Sequence, residues 1–295
     1  MFDETTRRDV LGLAAGAVAT GVAGCSTDSE AETTAESDGE TTTSGDGEAT
    51  TDESGTTADG TETGPYRNGV AEDASVSLAV PADGTTANSP YLQWDAEADG
   101  VTIEESGEVN EGAGHYHVLV DTDPVEPGET IPSDDQHVHY GTGQADGVLE
   151  LEPGDHTLHL QVADGAHTAM ALTDTVEVTV EDTANLDLST TVDGSTVEWE
   201  VTATDYTIEP SSEGINSNAG HLHAVIDTDH VPVGEVIPSD ANHIHYGDGS
   251  TSGSIDLAGQ LGDEYESGEH TIHFQVGSGS HRATMVHAHT TVTTE

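Results

Sequence analysis

The residues of this chain best suited to chemistry are four His-x-His pairs: His115/His117 and His137/His139, then His221/His223 and His243/His245. Imidazole is a nitrogen donor that suits Zn²⁺, Cu²⁺ and Ni²⁺, and a neighbouring carboxylate can orient it and fix its tautomer. In an extended strand residues i and i+2 face the same way, so each pair presents two rings on one face. If the two segments of a set are neighbours, four imidazoles converge, and these eight histidines are the expected metal ligands. Asp121 and Asp227 share the parity of the first pairs and are placed to orient a ring. Further candidates are His159, His273, His167, His281 and the thioethers of Met170 and Met285, and a thioether would favour copper over zinc. Because protons compete for imidazole, such a site predicts an affinity that falls as pH drops through roughly 6.5. The same histidines could instead cap turns, bond across strands or pack on aromatics with no metal at all. Asp121, Asp123 and Asp134 could attract Ca²⁺, but they lack the EF-hand pattern, and turn capping is the expected role.

The elements that position these residues come twice. Gly112 to Gly141, GAGHYHVLVDTDPVEPGETIPSDDQHVHYG, returns from Asn218 to Gly247 as NAGHLHAVIDTDHVPVGEVIPSDANHIHYG. The offset is constant, 221 − 115 = 245 − 139 = 106, so two copies of one folding unit are expected. Downstream, GDHTLHLQV matches GEHTIHFQV with an offset of 270 − 156 = 114, which places a longer loop in the second copy near Asp256–Ser267. Alternating runs such as Val76, Leu78, Val80 and Val197, Trp199, Val201, broken by Gly, Pro, Asp and Asn, predict antiparallel strands. No amphipathic helix is expected among them. The fold class read from this pattern is all-β: two tandem immunoglobulin-like antiparallel β-sandwiches, over residues 69–182 and 183–295.

The motifs GAGHYHVLVDTD, IPSDDQHVHYG and PGDHTLHLQVADGAH resemble those of the domain of unknown function 4399 family, roughly over Gly112–Met170 and again over Asn218–Met285. The resemblance implies a small exported β domain and supplies no established activity. His-Val-His on a β-sandwich is also similar to the copper-zinc superoxide dismutases, but only locally: the disulfide is missing and the motif order differs.

The chain has 58 acidic residues against four arginines and no lysine, a formal net charge of −54. Such a charge repels itself in dilute buffer and is screened in molar salt, where the Debye length is roughly 3 Å. This is a halophile-type composition, and no basic patch is available for a nucleic-acid partner. The first 24 residues, with Arg7-Arg8 and Val22-Ala23-Gly24 before Cys25, resemble a twin-arginine lipoprotein signal. Cys25 is the expected lipidation site, and it excludes both an intramolecular disulfide and a thiolate metal site because it is the one cysteine. Residues 25–68 are rich in Thr, Ser, Gly, Asp and Glu and are expected to form a disordered tether. The expected location is therefore the outer face of the cell membrane, with the membrane as partner through lipid. There is no Gly-x-Ser-x-Gly elbow, Walker loop or dinucleotide fingerprint. The functional reading is a His-rich surface module that binds copper or zinc. The alternatives are a metal-free spacer or adhesion module and, more distantly, a metal-dependent redox enzyme.

Overall fold

The computed structural model describes residues Gly64–Glu295. The expected signal, Cys25 and nearly all of the tether lie outside the described residues. Each copy folds as a β-sandwich. In the first, β1 (Ser75–Val80), β3 (Tyr91–Asp99) and β7 (Asp146–Glu150) make a three-stranded sheet. The larger sheet holds β2 (Thr85–Ala87), β4 (Thr102–Ile103), β5 (Ala113–Val120), β6 (His137–Tyr140), β8 (Gly154–Ala163) and β9 (Ala169–Val180). The second copy repeats this with a small sheet of β10 (Asn185–Asp193), β11 (Thr196–Thr204) and β15 (Ser252–Asp256). Its larger sheet is β12 (Thr207–Ile208), β13 (Ala219–Ile226), β14 (His243–Tyr246), β16 (Glu269–Gly277) and β17 (Ala283–Thr293). The long strands pair antiparallel, whereas the short edge strands β2, β4 and β12 run parallel to β9, β5 and β13. The longer loop of the second copy carries a single-turn helix, α1 (Leu257–Leu261), which buries Leu257 and Leu261.

Alternation builds the core. Trp94 and Leu92 on the small sheet meet Tyr116, Val118, Leu158, Leu160 and Val178 on the large one. In the second copy Trp199 and Val197 meet Leu222, Ala224, Ile272 and Phe274. Tyr66 and Arg67, expected at the end of the tether, belong to the fold: the Tyr66 hydroxyl donates to Asp164 (2.7 Å) and Arg67 donates to the Ala171 carbonyl (2.9 Å). The two copies also touch. The Gln93 side chain, only 4 % exposed, donates to the Ala219 carbonyl at 2.9 Å, and Arg282 pairs with Asp146 at 2.5 Å.

The outer face of each large sheet is not bare. The chain between β5 and β6 folds back across it and bonds to the turn after β8. Gly128 N–H donates to the Ala169 carbonyl (2.8 Å), Ala169 N–H to Glu129 (2.8 Å) and Ile131 N–H to His167 (2.9 Å). Gln161, buried on that face, pins the loop by accepting from Val125 N–H (2.9 Å) and donating to the Val125 carbonyl (2.7 Å). Gln275 grips Val231 in the same way, and Ile237 N–H reaches the His281 carbonyl (2.9 Å). Strand β5 is therefore covered on both faces.

Candidate metal centre

The β5 register places His117 directly opposite His139 of β6, with His115 one pleat away on the same face. The fourth ring comes from the turn between β8 and β9. His167 sits there at φ 66°, a left-handed conformation rare for non-glycine residues. The turn is held by Asp164, whose carboxylate accepts from Ala166 N–H and Thr168 N–H, both at 2.9 Å. His115, His117, His139 and His167 consequently gather with ligand nitrogens within 4.8 Å of one another. Their six ring-centroid separations run from 4.8 to 5.7 Å. In the second copy His221, His245 and His281 meet the same spacing, with His281 at φ 65°. His223 completes the foursome, its Nε2 2.9 Å from that of His221.

His115 and His117 are 0 % and 1 % exposed, whereas His139 is exposed and His167 half-buried, so the cluster has a fixed floor and a solvent-facing rim. A small pocket of ≈ 240 Å³ opens onto it, lined by His117, His139, His167 and the Ile131–Ser133 stretch of the covering loop. Close approach explains the glycine that ends the β6 motif: a Cβ on Gly141 would lie 2.2 Å from His139 Cε1, and one on Gly247 2.3 Å from His245 Cε1.

Burial, reinforced by the neighbouring rings, depresses His115 to about 4 and His117 to about 3, and their counterparts His221 and His223 likewise to about 4 and about 3. These rings are neutral at ordinary pH, the form that ligates metal. The His115 and His117 Nε2 atoms stand 3.0 Å apart, so one ring donates to the other in the absence of an ion. Nδ1 of all four buried rings has no hydrogen-bond partner among the described residues.

Several expected ligands are elsewhere. His137 and His243 share strand parity with His139 and His245, but each gives its Nδ1 to an aspartate three residues earlier, Asp134 or Asp240, at 2.7 Å. The Asp134 carboxylate also accepts from Gln136 N–H (3.0 Å), which makes it a turn cap. Asp121 and Asp227 do not face the cluster. Left-handed backbone at φ 53° and 54° ends the strand parity there and turns the carboxylates to His156 (2.7 Å) and His270 (2.6 Å). Met170 is buried in the sandwich core and Met285 is 40 % exposed, so neither thioether belongs to the ring cluster. His159 lies on the outer face beyond Gln161, bonded to the Thr175 hydroxyl at 2.7 Å. Sequence reasoning passed over Gln161 and Gln275, although the shared Leu-Gln-Val and Phe-Gln-Val motifs put a polar residue at the same place in both copies. It also ranked His167 and His281 below the paired histidines.

Comparison with known proteins gives a family and distant shapes. The family model described as Domain of unknown function (DUF4399) matches residues 95–181 and 199–295. No curated protein matches the chain. Among solved structures, the fibronectin(III)-like modules of Clostridium thermocellum CbhA are similar over 75 % of this chain and 94 % of theirs, at 12 % identity and a TM-score of 0.24. A Parabacteroides merdae beta-glucuronidase is similar over 76 % of this chain and 24 % of its own length, at 7 % identity and a TM-score of 0.20.

Proposed function

The chain belongs to the family described as Domain of unknown function (DUF4399), in two tandem copies, and on that footing we propose that each copy binds one transition-metal ion, zinc or copper. The ligands are His115, His117, His139 and His167 in the first copy, and His221, His223, His245 and His281 in the second. The observation that carries this is the convergence of four imidazoles from three separate elements, repeated in both copies. A Zn–N bond of about 2.0–2.1 Å puts tetrahedral ligand nitrogens about 3.3 Å apart. The buried pairs stand 3.0 and 2.9 Å apart, slightly inside that spacing, and the rim rings His139 and His167 are the ones free to close. With imidazole donors and no thioether, the site suits zinc as well as copper. An ion at the rim faces the small pocket, which leaves room for a water or small anion.

The test is titration of tag-free protein with Zn²⁺ and Cu²⁺ in high salt, beside the double variant His117→Ala, His139→Ala. The variant should bind one ion fewer per chain than wild type, and equal uptake would overturn the proposal. Two observations favour the metal-free spacer: the 3.0 Å contact between His115 and His117 lets two rings satisfy each other, and Gln93 and Arg282 tie the copies together. Equal uptake would leave that reading in place.

The module works outside the cell in this proposal, carried on a lipid at Cys25 after twin-arginine export and adapted to high salt. Support comes from Arg7-Arg8, the Val22-Ala23-Gly24-Cys25 run and the −54 charge. Replacing Cys25 with Ser should move the protein from the membrane fraction to the medium, measured by fractionation. Retention in the membrane would refute the lipid anchor.

A further inference from the structure

A second group of histidines lies on the outer face of the larger sheet in the second copy only, outside the four-ring cluster. The β16–β17 register sets His273 directly opposite His289 and Gln275 opposite His287. Their side chains therefore share the outer face, and the His273 and His289 rings lie 5.2 Å apart. His230, from the start of the covering loop, reaches over them. Its ring stacks on His287 at 4.7 Å and stands 5.9 Å from His273. The Nδ1 atoms of His273 and His287 are buried without a hydrogen-bond partner. Asp227, Asp229 and Glu269 line the adjoining surface pocket with His273, which adds negative charge beside the rings.

The first copy supplies an internal contrast. With the downstream offset of 114, His273, His287 and His289 correspond to His159, Thr173 and Thr175, and with the upstream offset of 106 His230 corresponds to Pro124. There the single histidine, His159, is satisfied by the Thr175 hydroxyl at 2.7 Å. In the second copy no hydroxyl stands in that place, and three additional imidazoles do.

We propose that His230, His273, His287 and His289 form a third transition-metal site, particular to the second copy, that takes a divalent ion of imidazole preference such as Cu²⁺ or Zn²⁺. Two ligands come from neighbouring strands at fixed register, a third from one pleat along, and the fourth from a loop. The nitrogens are gathered less tightly than in the four-ring cluster, so binding requires His230 to unstack from His287 and swing its ring toward the ion. The nearby carboxylates favour cation capture but are not needed as ligands. This site is weaker than the four-ring centres because its ligands start further from their bound positions.

The experiment compares wild-type full chain with His287→Thr, His289→Thr, which installs the residues that the first copy carries on the same strand. Equilibrium dialysis against Zn²⁺ and against Cu²⁺ in molar salt, with metal analysis, reads the stoichiometry. The expected result is one ion fewer in the variant, with far-ultraviolet circular dichroism unchanged. Equal stoichiometry in the folded variant overturns the proposal. If the variant does not fold, His230→Pro, the residue of the first copy, replaces it with the same two outcomes. The result is independent of the four-ring centres: the His117→Ala, His139→Ala variant reports on one of those, and either site can fail while the other stands.

Discussion

Under the covering loops the two copies carry the same chemistry. Each sets a His-x-His pair on β5 or β13, crosses it with a ring from β6 or β14, and adds a left-handed histidine from the turn after β8 or β16. One step further along the same sheet face they part, with Thr173 and Thr175 in the first copy at the positions that His287 and His289 hold in the second. The covered region is constrained by geometry on every side: Gly141 yields space to a ring, Gln161 holds the loop, and the loop holds the His167 turn. The open strand face has no such interlock, so its residues can differ without disturbing the fold. Histidines that appear there in one copy only have no shared packing reason to be present.

The largest effect that separates the copies comes from their tryptophans. Trp94 packs against Tyr140 at 4.4 Å and Tyr116 at 6.2 Å, while Trp199 packs against Phe274 and Tyr246, both at 4.7 Å. Removing a buried aromatic of this kind costs about 3–5 kcal/mol. Calorimetry in high salt should show Trp94→Ala lowering one transition and leaving a second near its wild-type position, with Trp199→Ala doing the converse. A single transition lowered equally by either variant would mean that the contacts through Gln93 and Arg282 make the copies one cooperative unit, and the contrast between them would then lie in chemistry alone.

The parts of this molecule legible in the sequence are those set by short-range pattern. Period-two runs gave the strands, and the repeated motifs gave the two copies and their family. Strand parity put His115 and His117 on one face, and that face does carry the cluster. It failed at Asp121, where one left-handed residue breaks the alternation, and at His137, where a local bond to Asp134 outweighs the parity shared with His139. The burial of β5 on both faces was not legible, because it depends on a backbone ladder between the 121–136 loop and a turn some thirty residues later. The same long-range ladder brings His167 into the cluster. The open-face group escaped because only strand register places His289 against His273.

A smaller effect tests whether the covered region is as constrained as its geometry implies. A methyl group at position 141 would collide with the His139 ring, the exposed member of the cluster and the one able to yield. Gly141→Ala should therefore displace His139 and leave the fold in place. Metal affinity of the first copy should fall about tenfold or more, equivalent to about 1.4 kcal/mol, and competition titration should show the second copy unchanged. Gly247→Ala should mirror it. If Gly141→Ala leaves affinity intact, His139 is not a ligand and the first centre reduces to three rings.

The smallest effect concerns the histidine–aspartate pair that both copies keep away from the cluster. Burial opposes the charge on His156, but the Glu152 carbonyl at 2.7 Å and the Asp121 carboxylate at 2.7 Å outweigh it, and the pKa of the ring is raised. Burial likewise opposes the Asp121 charge, and the Thr157 N–H and the His156 ring outweigh it to hold that carboxyl below its usual value. A histidine with a raised folded pKa adds stability that is complete below the unfolded value of about 6.5 and disappears as pH rises through the folded one. An aspartate with a lowered pKa adds stability that is complete above about 3.9 and disappears as pH falls. The pair therefore supports the fold most between about pH 4 and pH 6.5. Because Asp121 is substantially exposed, the contribution is about 0.2–1 kcal/mol. Molar salt, with a Debye length of roughly 3 Å, weakens the Coulomb part of this contribution and leaves the 2.7 Å hydrogen bond between the two side chains. Urea unfolding of wild type and His156→Gln from pH 4 to pH 9 should show a gap that narrows on the alkaline side. A gap that stays constant with pH would mean that His156 serves as a neutral hydrogen-bonding ring, and the pair would then distinguish nothing between the copies beyond the stacking of Tyr265 on His270 at 5.5 Å.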